Sequence, residues 1–255
     1  EVDLGRIEEN MKAMKEHLRP GTKMYGVVKT DAYGHGAVPV ARTIDRFVCG
    51  YAVATVDEGL KLRRHGIEKE ILCLGPVSAG RYQECLENDI SLPMFEYRRA
   101  KELSDAAVAE GKTAKIHIAV ETGMSRIGLF PDEGSVETVK EIAELPALRI
   151  AGMFTHFARA DEADKTNAGE QYRRFREFCD DVKAAGVAVP VCHCSNSAGI
   201  VELPDFNMDA VPAGITIYGL YPSDEVKQDI ISLKPAMALK SFITYIKEIG
   251  PGTEV

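Results

Sequence analysis

Met24-Tyr25-Gly26-Val27-Val28-Lys29-Thr30-Asp31-Ala32-Tyr33-Gly34-His35-Gly36 joins a short apolar run to an exit punctuated by glycine. An apolar run this short, with β-branched residues, reads as a buried parallel strand. A lysine at the end of such a strand is costly to bury unless it is paired or chemically used. Catalytic groups of barrel enzymes sit at the carboxyl ends of strands. A desolvated lysine amine has a lowered pKa and can form a Schiff base with an aldehyde. Taken alone, Lys29 reads first as a lysine that snorkels to solvent or pairs with a carboxylate.

Outward from that run, short apolar stretches alternate with amphipathic ones. Strands are expected over 24–29, 50–54, 71–75, 90–93, 115–120, 149–155, 189–194 and 208–212. Helical spacing appears over 3–18, 36–46, 57–66, 79–88, 95–111, 133–145, 166–186 and 197–203. Eight strands separated by helices predict an α/β chain folded as a (β/α)8 TIM barrel. A doubly wound open sheet would need a G-x-G-x-x-G loop after the first strand, which Thr30-Asp31-Ala32-Tyr33-Gly34-His35-Gly36 does not match. Residues 1–233 are thus expected to form the barrel. From about Pro235 the character changes, and Ala238–Lys247 partly alternates apolar and polar residues, as an antiparallel strand with one wet face does. Residues 234–255 are therefore expected to begin an incomplete β domain, and the chain is expected to be part of a longer protein.

Composition excludes several function classes. The chain has 255 residues, 45% of them hydrophobic, and a net charge of −8. With no block of lysine and arginine, nucleic acid and anionic membrane are poor partners. No apolar run approaches the roughly 18 residues of a membrane helix. The six cysteines are scattered through apolar stretches, which suits a reducing cytoplasm better than a disulfide scaffold.

The unusual residues fall where strands end. Lys29 and Tyr33 follow the first strand, Glu121–Arg126 the fifth, Thr155-His156-Phe157 the sixth, His193–Ser197 the seventh and Gly214-Ile215 the eighth. In a barrel all five loops converge on one rim. Barrel enzymes often hold a phosphate between the loops after strands seven and eight. Ser195-Asn196-Ser197 offers N-cap chemistry and hydroxyl donors there, and Gly214 allows close approach of the backbone. Plain capping and a turn would use the same residues. Together with Lys29, the set points to an aldehyde cofactor carrying a phosphate, pyridoxal phosphate. Arg126 could bond an anionic oxygen or form a surface ion pair, and His156 could line the site or fill the core. Cys192-His193-Cys194 invites a metal, but strand neighbours point to opposite faces and no second ligand cluster exists, so no metal is expected.

Val28–Gly36 closely resembles the cofactor motif of bacterial alanine racemases. The resemblance runs on through Glu121-Thr122-Gly123-Met124-Ser125-Arg126-Ile127-Gly128, Thr155-His156-Phe157, Asn196-Ser197 and Gly214–Gly219. It implies a barrel followed by a β domain in a head-to-tail homodimer, a cytoplasmic isomerase that makes D-alanine for cell-wall precursors from a small-molecule amino acid. Lys29 would carry the cofactor as a Schiff base and act as base on one face of the substrate α-carbon. Tyr33, Ser197, Gly214 and Ile215 would hold the phosphate. Arg126 would bond the phenolic oxygen, with His156 and Asn196 lining the pocket. The opposite-face base would be a tyrosine of the β domain, beyond Val255, leaving these 255 residues alone weak or inactive. The chain departs from the pattern at Pro212, where an arginine usually faces the pyridine nitrogen, at Ala119, where a carbamylated lysine is common, and at Glu121, where aspartate is usual. A racemase for another amino acid such as serine, and a non-catalytic pyridoxal phosphate binding protein, are the competing implications.

Overall fold

The computed structural model describes residues 1–254. Its eight strands are β1 (Lys23–Val27), β2 (Gly50–Val53), β3 (Glu70–Cys73), β4 (Ile90–Met94), β5 (Ala114–Ala119), β6 (Leu148–Phe154), β7 (Cys192–His193) and β8 (Ala210–Ala213). All are parallel and run in the order β7-β6-β5-β4-β3-β2-β1-β8. The seam between β7 and β8 is closed by Asp209, whose N–H donates to the Cys192 carbonyl at 3.1 Å and whose carboxylate accepts from the Cys192 N–H at 2.8 Å. The expected TIM barrel is therefore the fold, and each of the eight expected barrel strands and each expected helix is present.

β7 is much shorter than the 189–194 stretch suggests. Pro190 has no N–H to give to a ladder, so pairing cannot extend through it. Helices cover the outside, and side-chain caps fix the starts of several: Asp3 accepts from the Arg6 N–H, Thr55 and Glu58 form a reciprocal capping box, and Asp132 accepts from the Ser135 N–H. No described helix is long and apolar enough to cross a membrane. All six cysteines are free thiols.

Inside the barrel, one layer is polar. Alternate strands contribute its members: Tyr25 from β1, Glu70 from β3, His117 from β5 and His193 from β7. The Tyr25 hydroxyl donates to Glu70 at 2.7 Å, Ser91 donates to it at 2.8 Å, and His117 Nε2 lies 3.2 Å away. The intervening strands make room with glycine. A Cβ on Gly50 would stand 2.9 Å from the Tyr25 ring, and one on Gly152 would stand 2.5 Å from His117 Nδ1.

The chain's first residues meet its late ones. The Asp3 N–H donates to Ala236 O at 2.8 Å, Val2 bridges antiparallel to Met237, and the Ala238 N–H donates to Glu1 O at 3.0 Å. Buried Asn10, in the first helix, donates to Ile217 O and Lys234 O and accepts from the Lys234 N–H at 2.7 Å. Beyond this clasp the chain departs from expectation. The antiparallel strand anticipated over 238–247 forms no ladder among the described residues, and Leu239, Phe242, Ile243 and Ile246 stand exposed. Alternation selects a wet face, but a strand exists only with a neighbour to complete its hydrogen bonds. Val255 lies outside the described residues.

Candidate active site

A cavity of about 530 Å³ opens at the carboxyl ends of the strands, and Lys29, Tyr33, Arg126, His156, Asn196, Ser197, Gly214 and Ile215 all line it. The eight residues singled out from the sequence are thus brought to one place. His193 and Pro212 line it as well.

The turn after β1 has a conformation its sequence does not announce. Thr30, Asp31, Ala32 and Tyr33 all have φ between 51° and 57°. Left-handed backbone costs roughly 1–2 kcal/mol for each residue bearing a Cβ, so four in succession need external support. Glu58 gives much of it, accepting from the Thr30 N–H at 2.6 Å and the Ala54 N–H at 2.7 Å. Asp31 accepts from the Ala37 N–H at 2.9 Å and from Lys61 Nζ at 2.7 Å. His35 Nδ1 lies 3.0 Å from Ala32 O and 3.2 Å from Tyr33 O, which assigns its proton to that nitrogen. The reversal brings Lys29 and Tyr33 into one cavity, with Nζ 5.9 Å from the tyrosine ring centre.

Burial, helped by the Arg126 charge, holds the Lys29 amine below its usual pKa, and Glu58 partly offsets this. A larger share of uncharged amine is what a nucleophilic lysine requires. The His156 ring is pushed down to about 4 by burial, then by Arg126 and Lys29, so it is neutral at pH 7. Burial raises the Tyr33 hydroxyl.

Arg126 is carried on a loop wound around Glu121. The Glu121 carboxylate accepts from the Gly123 N–H at 2.6 Å and the Arg126 N–H at 3.0 Å. Burial would raise this carboxyl, but hydrogen bonds from the backbone of Ser125, Gly123, Arg126 and Met124 together bring it below the ordinary value. Glu121 therefore shapes the loop rather than facing the cavity.

Between the loops after β7 and β8 lies a cradle. Asn196 caps the helix Ser197–Glu202 by accepting from the Gly199 N–H at 3.0 Å. Ser197 Oγ accepts from the Gly214 N–H at 3.2 Å and lies 3.1 Å from Thr216 Oγ1. A Cβ on Gly214 would stand 3.2 Å from Ser197 Oγ and 3.5 Å from the Tyr33 hydroxyl, filling the space where the two hydroxyls meet. Backbone N–H groups and hydroxyls converging on such a space suit a phosphate.

Gln171 was not singled out from the sequence. It is buried on the helix Thr166–Ala184 and ties two rim loops together, donating to Thr122 Oγ1 at 3.2 Å and His156 O at 3.1 Å while accepting from the Ala158 N–H at 2.8 Å. The available signal was an amide on the apolar stripe Ala168, Gln171, Phe175 and Val182. Gln171→Leu is expected to cost about 2–3 kcal/mol, since it leaves buried partners unpaired. That would lower Tm by several degrees, readable by differential scanning calorimetry.

Cys192, His193 and Cys194 do not converge. The His193 ring enters the barrel, whereas Cys194 Sγ meets the Phe206 carbonyl at 3.2 Å on the outer side. Among the described residues no group of three or more His, Cys, Asp or Glu is placed to hold a metal. Ala119 is buried at the end of β5 and pairs in register with Phe154. Pro212 pairs in register with Tyr25.

Residues 2–222 match the family described as "Alanine racemase, N-terminal domain". An alanine racemase of Methanococcus maripaludis is 40% identical over 256 residues, covering 100% of this chain and 69% of that protein. One of Clostridium novyi is 44% identical over 253 residues, covering 99% of this chain and 65% of that protein. The solved structure of alanine racemase from Clostridium difficile 630 superposes with a TM-score of 0.97 at 38% identity, covering 100% of this chain and 67% of that one. The same protein in complex with cycloserine gives 0.95 at 39% identity. The chain thus spans about two thirds of the length of these relatives.

Proposed function

The chain belongs to the alanine racemase family, a family of isomerases, and from that premise we propose that it binds pyridoxal phosphate and racemises L-alanine as part of a longer protein. The observation that carries this reading is the convergence of Lys29, the Ser197–Gly214–Tyr33 cradle and Arg126 on a single cavity. The residues present fit that cofactor. Lys29 offers an amine for its aldehyde, the cradle offers donors for its phosphate, and Arg126 offers N–H groups for its phenolic oxygen.

When bound, the cofactor supplies an electron sink that makes the substrate α-proton acidic. The chain's own residues do the rest. Lys29 Nζ takes or returns the proton on one face of the α-carbon, helped by its lowered pKa. His156, held neutral, adds no charge beside the bound ring. The strained turn after β1 fixes Lys29 against the cradle, so both anchors act on one rigid frame. Inversion needs a second acid–base group on the opposite face. Tyr33 is committed to the cradle and His156, held at about 4, is a weak base at pH 7, so we assign that group to a partner copy in a head-to-tail dimer, outside residues 1–254. In the cytoplasm the product, D-alanine, would serve cell-wall synthesis.

The test compares two lengths of the protein. The longer protein with pyridoxal phosphate should convert L-alanine to D-alanine, followed by chiral chromatography. The 255-residue chain should bind the cofactor yet turn over at least about 100-fold more slowly, as expected for loss of one acid–base group. Equal turnover would overturn the two-base assignment. Faster conversion of L-serine than L-alanine would replace the substrate.

A further inference from the structure

The barrel floor holds one polar ring with nothing to bond. His193 is only 2% exposed, yet neither ring nitrogen has a hydrogen-bond partner among the described residues. Such a group is costly to bury and calls for an explanation. Its neighbours in the layer do not supply one. Tyr25, Ser91 and His117 spend their polar atoms on Glu70. His117 Nδ1 is also unpartnered, but it points at Gly152, and His117 does not line the cavity. His193 does line it.

The ring is also well fixed. It stacks on Phe154 with centres 5.4 Å apart and planes 8° from parallel, and it sits 5.5 Å from Tyr25 and 5.8 Å from His117. Pro212, the β8 residue in register with Tyr25, has no N–H to offer this end of the cavity. Burial first, then the neighbouring His117, holds the His193 ring down at about 3. It is therefore a neutral imidazole, with one N–H to donate and one lone pair to accept.

We propose that His193 is a positioning residue whose ring N–H bonds the pyridine nitrogen of the cofactor at the deep end of the cavity. This rests on the cofactor reading given above. In pyridoxal phosphate the ring nitrogen lies directly across the ring from the carbon bearing the aldehyde. An aldehyde held by Lys29 at the rim therefore turns the nitrogen away from the rim, toward the floor. There His193 has a free nitrogen, and its burial strengthens a hydrogen bond made to it.

Titrating the 255-residue chain with pyridoxal phosphate, and with the analogue carrying C–H in place of the ring nitrogen, tests this. Both compounds keep the aldehyde and phosphate, and adducts are read by absorbance and by borohydride trapping on Lys29. Wild type should bind the nitrogen-bearing compound about tenfold more tightly, the effect of one buried hydrogen bond. His193→Phe, whose ring can still stack on Phe154, should bind the two within about twofold. His193→Gln, with an amide N–H, should recover part of the preference. Equal affinities in wild type overturn the proposal whether or not the variants fold, and so does a full preference retained by His193→Phe. Absence of any Lys29 adduct with either compound would instead overturn the cofactor reading itself.

Discussion

Lys29→Ala is expected to abolish covalent capture of pyridoxal phosphate. Wild-type chain reduced with borohydride should carry the cofactor on the peptide containing Lys29, and the variant should carry none. Apart from Tyr33, the phosphate cradle is built from the loops after β7 and β8, so the variant should still bind the cofactor weakly and reversibly. The pH dependence has a definite sign. Attack on an aldehyde requires the uncharged amine. Since burial and Arg126 lower the Lys29 pKa below 10.5, the capture rate should reach half its maximum below that pH. An unchanged absorbance band in Lys29→Ala would refute the assignment.

The second large effect is on stability, at Glu70. Its carboxyl is drawn down to about 2 from 4.5, because hydrogen bonds from His117, Tyr25 and Ser91, with the His117 charge, outweigh the opposing effect of burial. A depressed folded-state pKa gives stability that is fully present above the unfolded value and is lost as pH falls through the folded one. The window for this chain therefore runs from about pH 4.5 down to about 2. At about 1.4 kcal/mol per unit, the contribution at neutral pH is about 3 kcal/mol. Glu70→Gln should lower Tm at pH 7 by roughly 6–12 °C and flatten the acid limb of the stability curve. A variant that melts with wild type at both pH 7 and pH 3 would show that the polar layer contributes nothing through this charge.

Periodicity made the barrel legible, because most strands are buried on both faces and the longer helices show one apolar stripe. The rim was legible through residues that make little sense elsewhere: a lysine ending an apolar run, a Ser-Asn-Ser cluster, and a glycine after the last strand. Three features were not. The left-handed run Thr30–Tyr33 is held by Glu58, on Thr30, and by Lys61, on Asp31, and no local propensity reports a conformation imposed by neighbours distant in sequence. Glu70 opens the run Glu70-Ile71-Leu72-Cys73, where a charge looks like a solvated strand end, yet closure of the barrel turns it inward. His193 sits between two cysteines whose thiols draw attention to the wrong chemistry, while its own environment comes from β1, β5 and β6. In each case the deciding contacts are long-range, and a single sequence carries no record of them.

The clasp at Asn10 has a kinetic meaning. This side chain, in the first helix, is satisfied only by Ile217 and Lys234, 207 and 224 residues later. Until those carbonyls exist, the amide has no partner in the chain, and the first helix cannot finish docking without stranding it. Closing a loop of that length carries an entropy penalty that is met only once the barrel is otherwise formed. During synthesis the Asn10 bonds can therefore be completed only after residue 234 has left the ribosome.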